Sequence, residues 1–90
     1  MMKASALDLL EYPCQFPLKV VGKNSSEFEG MVTRLVRQHV AQQHQIKVKQ
    51  TPSKKNNYVS VTLTFEADSC VQLETIYKAL YDCPEVVMTL

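Results

Sequence analysis

The sequence predicts an α+β fold, a two-layer sandwich in which one four-stranded antiparallel sheet carries two helices on a single face. Three observations lead there. Four segments alternate apolar and polar residues with period two, two others repeat apolar residues at spacings of three and four, and each of the six has only one apolar face. In a chain of 90 residues, elements of this kind share one core by packing as a sheet layer against a helix layer.

The first strand spans residues 15–22, where Phe16, Leu18 and Val20 alternate with Pro17, Lys19 and Val21 and Gly22 marks the exit. Pro17 lacks a backbone donor, so it belongs near the strand start or at an unpaired position. Before it lies a lead of residues 1–14, in which Ser5 can cap one or two helical turns ending before Pro13. The first helix follows Asn24, Ser25 and Ser26, with Ser26 and Glu29 at capping-box spacing. Phe28, Met31, Val32, Leu35, Val36 and His39 form its apolar stripe, and Gly30 sits inside it, either for a close backbone approach or at the surface.

Residues 45–50 form the second strand, with Ile46 and Val48 inward and Lys47 and Lys49 outward. The polar run from Thr51 to Asn57 turns the chain. Residues 58–66 then give the cleanest signal: Val59, Val61, Leu63 and Phe65 face one way, Tyr58, Ser60, Thr62 and Thr64 the other. Ser69 and Gln72 repeat the capping-box spacing before a helix striped by Leu73, Ile76, Tyr77 and Leu80, which Cys83-Pro84 ends. In the last strand Val86, Met88 and Leu90 face the core and Val87 and Thr89 face away.

The order is therefore β-α-β-β-α-β, with helical crossovers as first and third connections and a hairpin between. The ferredoxin-like arrangement, strand order 4-1-3-2, satisfies these constraints in a single domain over residues 1–90. Its open face would carry Lys19, Val21, Lys47, Lys49, Tyr58, Ser60, Thr62, Thr64, Val87 and Thr89.

Composition narrows the function classes. The formal charge is +1, yet residues 1–55 carry +5 and residues 56–90 carry −4. Such asymmetry steers an acidic partner to one side or draws one half of the domain to the other. Three cysteines, Cys14, Cys70 and Cys83, cannot all pair within the chain and point to a reducing, cytoplasmic setting. The N-terminal apolar run is broken by Asp8 and Glu11, and no stretch reaches the roughly 18 apolar residues of a membrane span.

Chemistry finds little support. His39 and His44 stand about 140° apart on helical geometry, and no Cys-x-x-Cys pair exists, so neither a metal nor another cofactor is expected. No cysteine has a base beside it in the sequence, and Gly22 and Gly30 build no phosphate loop, so no catalytic residue is assigned. Of the cysteines, Cys70 alone lies near a helix start, where amides lower a thiol pKa. RNA recognition motifs share this element order, but their third strand carries glycines and paired aromatics. Here Tyr58 is its one outward aromatic, leaving a basic sheet edge and loop as the means of nucleic-acid binding.

The stretch from Leu10 to Gly22, with His39, Ser53, the run Asn57–Thr62, Ala67-Asp68-Ser69, Gln72-Leu73-Glu74, Ile76-Tyr77, Leu80 and the ending from Pro84 to Leu90, resembles the small bacterial YbeD-like family over essentially the whole chain. One departure is Asn56, where the family usually has Gly. The resemblance implies a ferredoxin-like fold similar to ACT regulatory domains, and a regulatory role through a small ligand or another protein. ACT ligand sites commonly lie near a turn after the first strand, which here would be Gly22, Lys23 and Asn24. The resulting expectation is a non-enzymatic, cytoplasmic interaction module, with a protein partner, a second copy or a small metabolite as its ligand. Its surface would comprise Lys47, Lys49, Lys54, Lys55, Asn57, Tyr58, Ser60 and Thr62. Nucleic-acid binding is the alternative, and no membrane partner is expected.

Overall fold

The computed structural model describes residues 10–53, 55 and 57–89. In chain order its elements are β1 (Cys14–Lys23), α1 (Phe28–Arg37), β2 (Lys47–Pro52), β3 (Tyr58–Ala67), α2 (Cys70–Tyr81) and β4 (Val86–Thr89). They form one antiparallel sheet in the order β2-β3-β1-β4, which is the expected 4-1-3-2 read from the other edge. The short helix expected after Ser5 lies mostly outside the described residues.

Alternation in the strands decides which face is covered. Val59, Val61, Leu63 and Phe65 are buried, and Leu18 and Val20 lie opposite Leu63 and Val61 on the same side. Phe28, Val32 and Val36 from α1 and Leu73, Ile76 and Leu80 from α2 complete the core. Each such side chain contributes on the order of 1.5–3 kcal/mol relative to exposure. Phe16 tilts against Phe65 and meets Tyr77 edge-on, each at a ring separation of 6.4 Å, so the core continues to the start of β1. Pro17 is tolerated because β4 covers β1 only at residues 20–22.

The two helix starts differ. Ser69 is extended, at φ −164° and ψ 162°, and its Oγ accepts the Gln72 N–H at 3.1 Å. Gln72 Oε1 accepts the Asp68 N–H at 2.7 Å, while its Nε2 donates to the His39 carbonyl at 2.7 Å. One side chain thereby ties the start of α2 to the turn after α1. The Ser26–Glu29 box does not form. The chain enters α1 through Glu27 at φ −102° and ψ −9°, already near helical geometry, with no side-chain cap. A capping oxygen reaches back only from an extended residue.

Two further expectations, on β2 and β4, are revised, and the open choice at Gly30 is decided for the surface. The second strand begins at Lys47 and runs on to Pro52, opposite Val59, so the turn starts at Ser53. As an edge strand, β2 accommodates a proline. Gly30 is exposed, and a methyl there would meet only Arg34 Nη1, at 3.8 Å, so no backbone approach requires it. In β4, Gly22 pairs with Val86 and Val21 with Met88, leaving Val87 as an inserted residue. This bulge flips the alternation beyond it, so Thr89 sits opposite the buried Val20 and Met88 lies on the open face.

Candidate functional site

Cross-strand rows build the open face. One row runs Met88, Val21, Ser60, Thr51; the next holds Lys19, Thr62 and Lys49; a third holds Pro17, Thr64 and Lys47. Tyr58 pairs with Lys23 at one end, and Gln15 pairs with Glu66 at the other. Between Lys19 and Lys49 the surface sinks into a depression of about 350 Å³, rimmed by Pro52, Ser53 and Tyr58 and floored by Ser60 and Thr62. Tyr58 is 43% exposed, and Met88, 47% exposed, continues the apolar surface across Val21. Two lysines placed either side of a threonine, on strands that both border β3, direct positive charge into one concave patch.

The loop at this end is held by short-range bonds. Ser53 N–H donates to the Tyr58 carbonyl at 2.9 Å, and Ser53 Oγ accepts the Tyr58 N–H at 3.2 Å. Asn24 N–H donates to the Asn57 carbonyl at 3.1 Å. The structure therefore brings two separately expected regions together, the Gly22–Asn24 stretch and the Asn57–Tyr58 loop. Gly22 itself is buried within β1, between the Phe28 ring and the Glu85 carbonyl, so its lack of a side chain serves packing. Lys49, Tyr58, Ser60 and Thr62 line the depression, Lys55 and Asn57 are exposed in the adjoining loop, and Lys54 lies outside the described residues. Lys47 is turned to a different hollow.

That second hollow, about 260 Å³, lies at the opposite end of the face and is lined by Gln15, Gln43, His44, Gln45, Lys47, Thr64 and Glu66. Beside it His44 stands between two carboxylates, Nδ1 3.9 Å from Glu66 and Nε2 3.6 Å from Asp68. Among the described residues these three are the group whose donor atoms gather within 4.8 Å of one another. No single motif announces them. The usable signal is hairpin register: with Lys47 opposite Thr64, continuing the ladder carries the residues around 44 towards Glu66 and Asp68.

The cysteines are dispersed. All three are half-buried and none forms a disulfide. The Cys70 thiol donates to Glu74 at 3.5 Å, and the Cys83 thiol to Glu85 at 3.2 Å. Burial, then the Glu85 carboxylate, pushes the Cys83 thiol up. Among the described residues no helix is long and apolar enough to cross a membrane.

A one-sided βαββαβ sandwich of this kind is a ferredoxin-like fold, and it is similar in fold to solved structures that include an ACT domain. Protein HP0495 from H. pylori superposes with a TM-score of 0.73 at 20% identity, covering 90% of this chain and 85% of that one. The ACT domain of the GTP pyrophosphokinase of Chlorobium tepidum gives 0.64 at 13% identity, covering 87% and 96%. More specifically, residues 8–90 match the family model described as "Protein of unknown function (DUF493)". The chain is 37% identical over 82 residues to UPF0250 protein NE1487 of Nitrosomonas europaea, covering 91% of this chain and 94% of that one. It is 40% identical over 87 residues to UPF0250 protein VP0718 of Vibrio parahaemolyticus, covering 97% and 92%. The chain belongs to this family, the YbeD-like group that its sequence resembles.

Proposed function

We propose that this chain is a non-enzymatic regulatory module that docks an acidic segment of a partner protein on its open sheet face. The observation that carries the reading is the row Lys19–Thr62–Lys49 bordering a concave patch with the half-exposed Tyr58 at its rim. Tyrosine is a favoured anchor at interfaces, because its ring buries area at small entropic cost while its hydroxyl stays hydrogen-bonded. Lys49 on the depression and Lys55 in the adjoining loop act as steering charges beside it, and Lys47 adds positive charge from the other end of the face. A depression of about 350 Å³ falls within the size range of small-ligand sites, so an anionic metabolite can compete for the same patch and tune the docking. Cysteines that form no disulfide suit a cytoplasmic setting.

Comparative affinity purification tests this. Wild-type chain is compared with Tyr58→Ala and with a variant carrying Lys47→Glu, Lys49→Glu, Lys54→Glu and Lys55→Glu. The proposal expects a protein recovered by wild type to be lost from both variants. A partner set unchanged by both variants overturns it. Nucleic-acid binding through the same lysines is the competing reading. A filter-binding assay would show steep loss of RNA or DNA with added salt in that case, since neutralising several phosphates releases counterions. Tyr58 as the sole outward aromatic of β3 favours the protein reading, because base-stacking sheets spread several aromatics over this strand.

A further inference from the structure

We infer that His44, Glu66 and Asp68 form a binding site for a divalent transition metal of the zinc class, at the end of the sheet remote from Tyr58. This is independent of the docking reading. The three donors stand on backbone that is held in place. Arg37 donates its guanidinium Nη2 to the Val40 carbonyl at 3.4 Å and to the Ala41 carbonyl, and His44 N–H donates to Ala41 at 2.9 Å. Glu66 is fixed by the β3 ladder opposite Gln15, and Asp68 by the bond from its N–H to Gln72.

Spacing separates this arrangement from a hydrogen-bonded cluster. Contacts of 3.6 and 3.9 Å are too long for hydrogen bonds, which run at about 2.7–3.2 Å. Two ligands each about 2.1 Å from a tetrahedral ion lie about 3.4 Å apart, close to the His44–Asp68 separation. An ion takes one imidazole nitrogen, so with Nε2 beside Asp68 the Glu66 carboxylate must turn from Nδ1 towards it. One donor atom from each residue already lies within 4.8 Å of the others, and the carboxylates, 37% and 49% exposed, have room to rotate. The core need not move.

Charge and chemistry fit the same class. A neutral imidazole and two carboxylates present two negative charges to a divalent ion. Lys47 lines the same hollow, and its positive charge lowers the affinity for a cation without removing the donors. Gln15, Gln43, Gln45 and Thr64 leave polar, uncharged atoms beside the site for metal-bound water. A nitrogen among the donors favours Zn²⁺, Co²⁺ or Ni²⁺ over Ca²⁺, which takes an all-oxygen shell.

Calorimetric titration of the reduced full chain with ZnCl₂, repeated with CaCl₂, tests the proposal. The expected result is one equivalent of Zn²⁺ bound more tightly than Ca²⁺. His44→Ala, Glu66→Gln and Asp68→Asn should each weaken it at least about tenfold, while His39→Ala leaves it unchanged. The carboxamide variants preserve shape, and unaltered thermal melts without metal will show that they fold. A Co²⁺ complex lacking thiolate charge-transfer absorption supports ligation by nitrogen and oxygen. Absence of Zn²⁺ binding, binding indifferent to His44→Ala, equal affinity for Ca²⁺, or a cobalt–thiolate band would each overturn the site.

Discussion

Gly22 is the residue on which the packing of three elements converges, and replacing it by alanine tests that packing directly. A methyl group at this position would lie 2.2 and 2.3 Å from Phe28 ring atoms and 2.7 Å from the Glu85 carbonyl oxygen. The nearest approach is about 1.2 Å inside the 3.4 Å at which ordinary contact begins. Phe28 is the first residue of α1 and buried, so its ring recedes only if the helix start moves. The Glu85 carbonyl is backbone, and yielding there displaces the entry to β4. Overpacking of a tight core costs about 1–3 kcal/mol, and a backbone obstacle places this site near the upper end. Alanine recovers about 0.4–1 kcal/mol by restricting the unfolded chain. The net loss is about 2–3 kcal/mol. At roughly 4–8 °C per kcal/mol for a domain of this size, Tm should fall by about 10–20 °C. Phe28→Leu removes the ring edge, so Gly22→Ala with Phe28→Leu should lose at least about 1 kcal/mol less than the sum of the single changes. Thermal melts and urea titrations of the four proteins check this. If Gly22→Ala melts within about 2 °C of wild type, the argument from close approach is wrong.

Other predictions follow from single contacts. Gln72→Ala removes the acceptor for the Asp68 N–H and the donor to the His39 carbonyl, so urea denaturation should show a loss of about 1–3 kcal/mol. Thr33 Oγ1 is buried in α1 and finds no hydrogen-bond partner among the described residues; Thr33→Val should therefore be neutral or stabilising by up to about 1 kcal/mol in the same assay. Burial pushes the Tyr77 hydroxyl up, so its contribution is intact below the ordinary tyrosine pKa of about 10 and is lost as pH rises through the folded value. Tm measured from pH 9 to 12 should fall less steeply in Tyr77→Phe than in wild type.

Much of the fold is legible because local and global signals agree. In β3, four branched or aromatic residues alternate with three hydroxyl-bearing side chains and Tyr58, and that period alone fixes the buried face. The helical stripes are equally direct, since Phe28, Val32 and Val36 recur every four residues. What stayed hidden depends on geometry that spacing does not encode. Val87 looks like any other strand residue, yet the bulge at that point reverses the faces of Met88 and Thr89. Ser26–Glu29 and Ser69–Gln72 have identical spacing, but only Ser69 has the extended backbone that lets its hydroxyl cap. For the candidate site, the outward residues of β3 were readable by alternation, whereas the joining of the Asn24 and Asn57 loops required the register of β1 on β3. His44, Glu66 and Asp68 were invisible for the same reason: residues more than twenty positions apart meet only once the hairpin closes.

Site-specific photocrosslinking in living cells asks which face of the molecule is covered. Tyr58 and Thr62 on the open face and Val71 and Thr75 on the exposed side of α2 are each replaced by p-benzoylphenylalanine. A discrete protein adduct is expected from positions 58 and 62, weakened by the lysine-to-glutamate changes, and none from 71 or 75. Adducts arising only from the α2 positions would show that the partner binds the helix layer, and the open sheet would no longer be the working surface.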